Sequence, residues 1–399
     1  MTVTPNLDES FTGNPHEVLN RLRQQCPVSR AVMWGNVPVW VVTQYDDARA
    51  LLADSRLSQD GTQVSRLLPS ENNGQYDSEL NAHMLHRDPP AHTRLRKFVL
   101  KAFTARAVEL MRSRIEVIAD ELLDAIDASA TVDLITAYAG PLPIRVISEL
   151  LGVPADYRNR FEALVEPFND LSGRLEKAAA ANELTAMLTE LLAAKRRRPA
   201  KDLISALIAD TDEGDSLSES ELLAMIFLLI AAGYDTTVNL IANGILALLR
   251  HPSEMAALRA DPSRMPGAIE EFLRFDSPVN LAVPRITTEP VRVGDIDIPD
   301  NQLVMISLLS ANHDAQRFED PGRLDISRKP NAHIAFGHGI HHCVGAALGR
   351  LEGDVALTRL LARFDHLELA TDEPLEYRNS VLMHGLNALP VTCHRRQIW

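Results

Sequence analysis

A chain of 399 residues with no Gly/Ser linker, low-complexity run or internal repeat predicts one large domain over 1–399 with a substantial buried core. The formal net charge of −14 argues against nucleic acid as the main partner, and three widely spaced cysteines, Cys26, Cys343 and Cys393, argue against a disulfide framework or a cysteine zinc site. The opening MTVTPNLDES has no charged stretch leading into an apolar core, and the longest apolar run, Leu222 to Tyr234, is 13 residues, so a cytoplasmic protein without a membrane span is expected.

In chain order, Pro15 to Cys26 reads as a short amphipathic helix, Val37 to Thr43 as a strand and Asp46 to Ala53 as a helix. A β-rich part is thus expected over about 28–60, and a helical core over about 84–275 and 344–364. Ser58 to Ala82 is polar, with a turn at Asn72-Asn73-Gly74, and long loops of this kind are often functional. Asp88-Pro89-Pro90 starts the next helix with an aspartate as its cap. His92 and Arg96, four apart on that helix, share one face, which by itself is the ordinary pattern of a solvated basic helix. Ala105 to Ile126, Pro143 to Leu151, Ala155 to Asn169 and Leu175 to Lys195 keep helical periodicity, and the last ends in Lys195-Arg196-Arg197-Arg198, cations that suit a helix C-terminus. Asp210, Asp212, Asp215 and Glu221 hint at a calcium loop, but Gly214 falls one place early and the fifth position carries no oxygen donor.

Ser218 and Glu221 form a capping box opening a helix that runs to Arg250, and its roughly 32 residues span about 48 Å, enough to cross the whole domain. Midway, Ala232-Gly233-Tyr234-Asp235-Thr236-Thr237 replaces apolar side chains with polar ones. Polar groups inside a buried helix need a reason; the ordinary one is a threonine hydroxyl bonding a carbonyl one turn back. Pro266 to Phe275 is a short helix with Glu271 and Arg274 three apart, and Val291 to Val293 and Ile296 to Leu308 read as strands around a turn at Asp300-Asn301. In FGHGIHHCVG, Phe336 to Gly345, one cysteine follows two glycines and precedes a helical pattern from Val344 to Phe364. Gly337, Gly339 and Gly345 permit a backbone wrapped tightly around a ligand, and the helix N-terminus favours a thiolate at Cys343. A dinucleotide loop is excluded, because His342 stands where its third glycine belongs. Ser380 to Val391 reads as strand, turn and strand.

Those ten residues resemble the haem-binding loop of the cytochrome P-450 family, F-G-x-G-x-[HR]-x-C-x-G, and the resemblance extends over nearly the whole chain. It implies a mainly α fold with small β-sheets, prism-like, with haem b held between the long central helix and the helix after the cysteine loop. Cys343 would be the axial thiolate and metal ligand, with Phe336 packing on the haem and His92, Arg96, Arg285 and His341 gripping its propionates. AGYDTT resembles the family's [AG]-G-x-[DE]-T-[TS]. Gly233 would leave room for dioxygen, Thr236 would hydrogen-bond it, and Asp235 would pass protons inward.

By the same resemblance, Glu271 and Arg274 would join Arg323 in a scaffold beneath the haem. The 58–82 loop would cover the substrate, and Asn169 to Arg174 would hinge a lid. Ala232, Val279, Asn280, Leu281, Val283, Val381, Leu382 and Met383 would line the substrate pocket. The implied activity is a monomeric monooxygenase splitting dioxygen to hydroxylate or epoxidise a lipophilic secondary metabolite: a macrolide or other polyketide, a terpenoid or a steroid-like molecule. Electrons would come from a ferredoxin and its NAD(P)H-dependent reductase, docked near Arg94, Lys97, Lys101 and Arg350. A peroxide-driven or non-oxygenating haem-thiolate enzyme, and a haem-binding sensor or carrier, are the alternatives.

Overall fold

The computed structural model describes residues 5–7, 9–68, 79–128, 130–169, 174–209 and 216–395. The turn expected at Asn72-Asn73-Gly74, the hinge between Asn169 and Arg174, and the acidic positions Asp210, Asp212 and Asp215 lie outside the described residues.

The element that orders the rest is the central helix, Glu219–Arg250. Its start is fixed by the capping box: Ser218 Oγ accepts from Glu221 N at 3.2 Å, and the Glu221 carboxylate accepts from Ser218 N at 2.9 Å. From Leu222 to Leu248 nearly every side chain is buried, because the helix is enclosed by Pro141–Leu151, Met265–Phe275 and the proximal helix, Ala346–Arg363. Among the described residues it is the one helix long and apolar enough to cross a membrane, and 78% of its apolar window is buried inside the protein. The apolarity therefore serves the core.

Beside the helical body lies a six-stranded sheet in the order Asn6–Leu7, Val28–Met33, Val37–Val42, Leu303–Ile306, Arg285–Thr287, Leu57–Ser58. Val28–Met33 and Val37–Val42 pair antiparallel, while Val37–Val42 runs parallel to Leu303–Ile306, joining an early strand to one more than 250 residues later. Phe364–Leu369, Pro390–Arg395 and Val132–Asp133 form a three-stranded sheet, and Val291–Val293 pairs with Ile296–Ile298.

Three local expectations change. The helix expected over 105–126 is two, Ala105–Glu109 and Arg112–Ala125, and Arg112 holds the break by bonding Glu109 before it and Asp354 on the proximal helix. Asp88 does not cap its helix; its carboxylate accepts from Ser58 Oγ and, at 3.1 Å, from Gln59 N, tying the helix start to the sheet edge. Between Ser380 and Leu389 there are only isolated bridges, Val279 to Met383 and Tyr377 to Leu386, before the strand Pro390–Arg395.

Candidate active site

The cysteine loop and the central helix face each other across an internal cavity with about 1450 Å³ of empty space, part of it open to solvent. Ala232, Gly233, Thr236 and Thr237 form one wall, and Phe336, Gly337, Cys343, Val344 and Gly345 form the opposite one. Between them the lining is largely apolar, including Ile147, Leu228, Leu229, Leu240, Val279, Ala282 and Val283. Neither Cys26 nor Cys393 lines it.

The loop is built by short-range bonds. Cys343 N donates to Phe336 O at 2.9 Å, Gly337 N to Ile334 O at 2.8 Å, and Ile334 N to Asn312 Oδ1 at 2.8 Å. At Gly339, φ is +78°, and a Cβ there would lie 2.8 Å from Leu52 O and 2.9 Å from Ala53 Cα, so only glycine lets the loop dock on this backbone. Cys343 is exposed on the cavity, yet the protein packed around it desolvates the thiol and pushes it up, opposed by the Gly345 N–H and by the charges of Arg96 and Arg350. Arg350 lies 4.4 Å over the Phe336 ring, and both Arg350 and His333 bond Glu270, clamping the loop to the Met265–Phe275 helix.

One rim of the cavity gathers His92, Arg96, Arg285 and His341. The rings of His92 and His341 are 4.4 Å apart, and Arg285 Nη1 donates to Leu51 O at 3.2 Å and Leu52 O at 3.0 Å. Burial, then the charges of His92, Arg285 and Arg96, bring His341 down to about 3; burial brings Arg285 down to about 10. Both His92 ring nitrogens and Arg285 Nε are buried with no protein partner. Mutually repelling donors left unsatisfied together fit an anion, and the two propionates of a haem lying across Cys343 satisfy that chemistry.

On the central helix, Thr236 Oγ1 donates to Ala232 O at 2.7 Å, the bond back by one turn. A Cβ on Gly233 would come within 3.2 Å of Ile147 Cδ1, so the missing side chain also admits the neighbouring helix. Asp235 is buried, its carboxylate accepting from Arg378 Nη1. Arg378 sits in a polar loop with no periodic signal, and sequence reasoning missed it. Glu352 was missed too: it lines the cavity from the proximal helix, and burial raises its carboxyl well above the usual carboxylate range.

Two expectations are corrected. Arg323 does not join the scaffold: its guanidinium is exposed and pairs with Asp325 at 2.8 Å, offering only its carbonyl to Arg274. Arg328 takes the place, with Nε 3.1 and 3.2 Å from the Glu271 oxygens, while Arg274 grips the same carboxylate with two bonds of 2.8 Å. Of the expected pocket residues, Ala232, Val279 and Val283 line the cavity, but Asn280, Leu281, Val381, Leu382 and Met383 do not. Leu281, Val381 and Leu382 pack instead into a core with Leu7 and Phe11, because Leu281 bridges to Ser307 and faces the six-stranded sheet. Asn280 is buried in the same segment, its N–H donating to Leu382 O at 2.7 Å.

A cavity with one cysteine on one wall, a threonine on the central helix opposite, and an anion-binding rim defines the class: a haem protein with a thiolate ligand. Comparison with known proteins agrees. A model of the family described as Cytochrome P450 matches residues 4–151 and 142–390. Cytochrome P450 107B1 of Saccharopolyspora erythraea is 48% identical, with 96% of each chain covered. The polyketide biosynthesis cytochrome P450 PksS of Bacillus subtilis is 39% identical over 96% of this chain and 97% of its own. Among solved structures, the tirandamycin C-bound monooxygenase TamI has a TM-score of 0.93 at 44% identity, covering 98% of this chain and 100% of its own. The chain belongs to the cytochrome P-450 family and is a P-450 monooxygenase, an enzyme whose cofactor is haem with an axial cysteine thiolate.

Proposed function

We propose that this monooxygenase works in the cytoplasm, takes electrons from a ferredoxin and its NAD(P)H-dependent reductase, and hydroxylates or epoxidises a lipophilic secondary metabolite of polyketide type. The observation that carries it is the juxtaposition, across one largely apolar cavity, of Cys343 with Thr236, whose neighbour on the helix, Asp235, is buried behind the lining and held by Arg378. Cys343 is the axial ligand in this reading, and His92, Arg96, Arg285 and His341 hold the propionates. When bound, the haem supplies the reduction of dioxygen and the attack on an unactivated bond.

The protein's own part is to orient the substrate, exclude water and meter protons. Val279, Ala282, Val283, Leu228 and Leu229 offer a substrate carbon surface and few polar contacts, which fits a large lipophilic molecule. Asp235 is 1% exposed and Arg378 24% exposed, so the pair reaches from solvent to the buried helix one residue before Thr236; the carboxylate is the group that would carry a proton inward, and the guanidinium holds it in place. The name of the relative PksS supports a polyketide substrate. The helix Ala91–Leu100, whose inner face supplies His92 and Arg96, carries Lys97 on its outer face, and a basic surface there suits an acidic ferredoxin.

The test is turnover with reduced ferredoxin under labelled dioxygen, with a library of lipophilic metabolites screened first by the haem spin-state shift. One labelled oxygen in the product per NAD(P)H is expected, and Thr236→Ala and Asp235→Asn should each lower product per NAD(P)H at least about tenfold. Full coupling in both variants would remove Thr236 and Asp235 from the proton path, and product formed from peroxide without label from dioxygen would contradict the dioxygen route.

A further inference from the structure

Away from the cavity, three chain segments far apart in sequence bring histidines onto one carboxylate. His16 stands on the helix Pro15–Gln25, Asp276 just past the end of Met265–Phe275, and His384 in the loop before the last strand. His16 Nε2 lies 2.9 Å and His384 Nε2 2.8 Å from the same oxygen, Asp276 Oδ1, and the three atoms lie within 4.8 Å of one another.

Hydrogen bonding accounts for only part of this. His16 Nε2 is aligned to bond Asp276, whereas His384 Nε2, in a residue only 3% exposed, meets the same oxygen at 2.8 Å as a close contact without full hydrogen-bond geometry. Next to it, His313 is 8% exposed and neither of its ring nitrogens has a partner, its ring 4.8 Å from that of His16. A buried polar atom left unsatisfied costs free energy. His384, facing a carboxylate that already bonds His16, completes a donor set that a metal ion would satisfy.

We propose that His16, Asp276 and His384 form a divalent-cation site, with zinc the ion that its donors favour. Two imidazole nitrogens and one carboxylate oxygen make up a common zinc ligand set, with the fourth position left to water. Tetrahedral zinc with bonds of about 2.0–2.1 Å separates its ligands by about 3.3 Å, so each N···O distance would open by about half an ångström while the two nitrogens, within 4.8 Å of each other, would draw in toward the ion. The frame is braced: Asn243 Nδ2 donates to His384 O at 2.9 Å and Asp276 O at 3.3 Å, and Tyr377 stacks on the His384 ring at 4.7 Å. The entry path is the His16 side, where that side chain is 40% exposed. Sequence reading sought zinc among the cysteines and excluded it there; here the ligands come from residues 16, 276 and 384, a spacing no motif describes.

The site would clamp the N-terminal helix to the cavity wall. Two residues beyond Asp276 the chain lines the cavity at Pro278 and Val279, and His384 N donates to Pro278 O at 2.9 Å. Zinc would therefore stabilise that wall without touching the haem site.

The experiment uses the haem-loaded enzyme, stripped with a chelator and dialysed against zinc, with metal counted against haem iron. One zinc per chain is expected, together with a rise in Tm of about 5 °C at roughly a hundred times Kd. His16→Ala, on a half-exposed surface position, should abolish both, while His394→Ala, in a histidine pair on the three-stranded sheet, should change neither. Anomalous diffraction at the zinc edge should place the ion between the three residues. Absence of saturable zinc, full stoichiometry in His16→Ala, or an anomalous peak elsewhere would each overturn the proposal and leave a hydrogen-bonded cluster. None of these outcomes bears on the oxygenase reading.

Discussion

Arg378 Nη1 holds the carboxylate of Asp235, joining a loop near the C-terminus to the middle of the central helix. A buried carboxylate with a half-solvated arginine at its back is both fixed in place and connected to water. Arg378→Ala is expected to lower kcat about 10- to 100-fold and raise the solvent isotope effect, while the substrate concentration for half-maximal spin shift stays within about twofold. Arg378→Lys should recover much of the rate. An unchanged kcat in Arg378→Ala, read by product formation per haem, would show that the pair is only structural.

The scaffold beneath the cysteine loop separates two arginines five residues apart. Arg328 shares the fully buried Glu271 carboxylate with Arg274, so Arg328→Ala leaves a buried charge undercompensated and should cost about 3–5 kcal/mol in urea unfolding. Arg323→Ala removes only an exposed pair with Asp325, and the urea midpoint should not move.

Acid should loosen the loop clamp. Burial raises the Glu270 carboxyl, but bonds from His333 and Arg350 outweigh it and bring it down to about 2. Because the folded value lies below the unfolded one, the unfolded chain binds the extra proton, and this stabilisation is complete above the ordinary carboxylate range and lost as pH falls toward 2. With the side chain 29% exposed, solvent screening reduces the contribution to about 1–2 kcal/mol. Glu270→Gln should flatten the fall of Tm between about pH 5 and pH 3, which haem absorbance during heating will show. An identical slope in the variant would remove Glu270 from the account.

Much of the site was legible because its pieces are contiguous. Ser218 and Glu221 gave the start of the central helix, AGYDTT its functional turn, and FGHGIHHCVG the loop, each through neighbours in the chain. The misses are those that depend on side-chain direction in irregular backbone. Arg323 and Arg328 lie in one loop, FEDPGRLDISR, and nothing local says which guanidinium turns inward. In Val279 to Val283 the chain is neither helix nor regular strand, so no period marks which side chains face the cavity; Val279 and Val283 do, and Asn280 and Leu281 do not. The basic residues expected to meet a ferredoxin divide similarly: Arg94 pairs with Glu221 and Arg350 with Glu270, whereas Lys97 is exposed.

The tight turn at Gly339 gives a further prediction. Gly337 and Gly339 share a positive φ, but Gly337 lines the haem cavity, whereas a Cβ at Gly339 meets the backbone of Leu52 and Ala53. Gly339→Ala must push the loop off that backbone, and the haem-to-protein ratio of the purified variant should fall well below that of the native enzyme. An unchanged ratio would mean that the docking of the loop is not what holds the cofactor.

The claim on which the rest stands is that the sulfur at position 343 binds the iron, and the ferrous carbon monoxide difference spectrum reads that bond directly. The purified enzyme should show the strongly red-shifted band of a thiolate-bound haem, and Cys343→Ser should lose it. A band at the unshifted position in the native enzyme, or a red-shifted band that survives the substitution, would contradict the assignment.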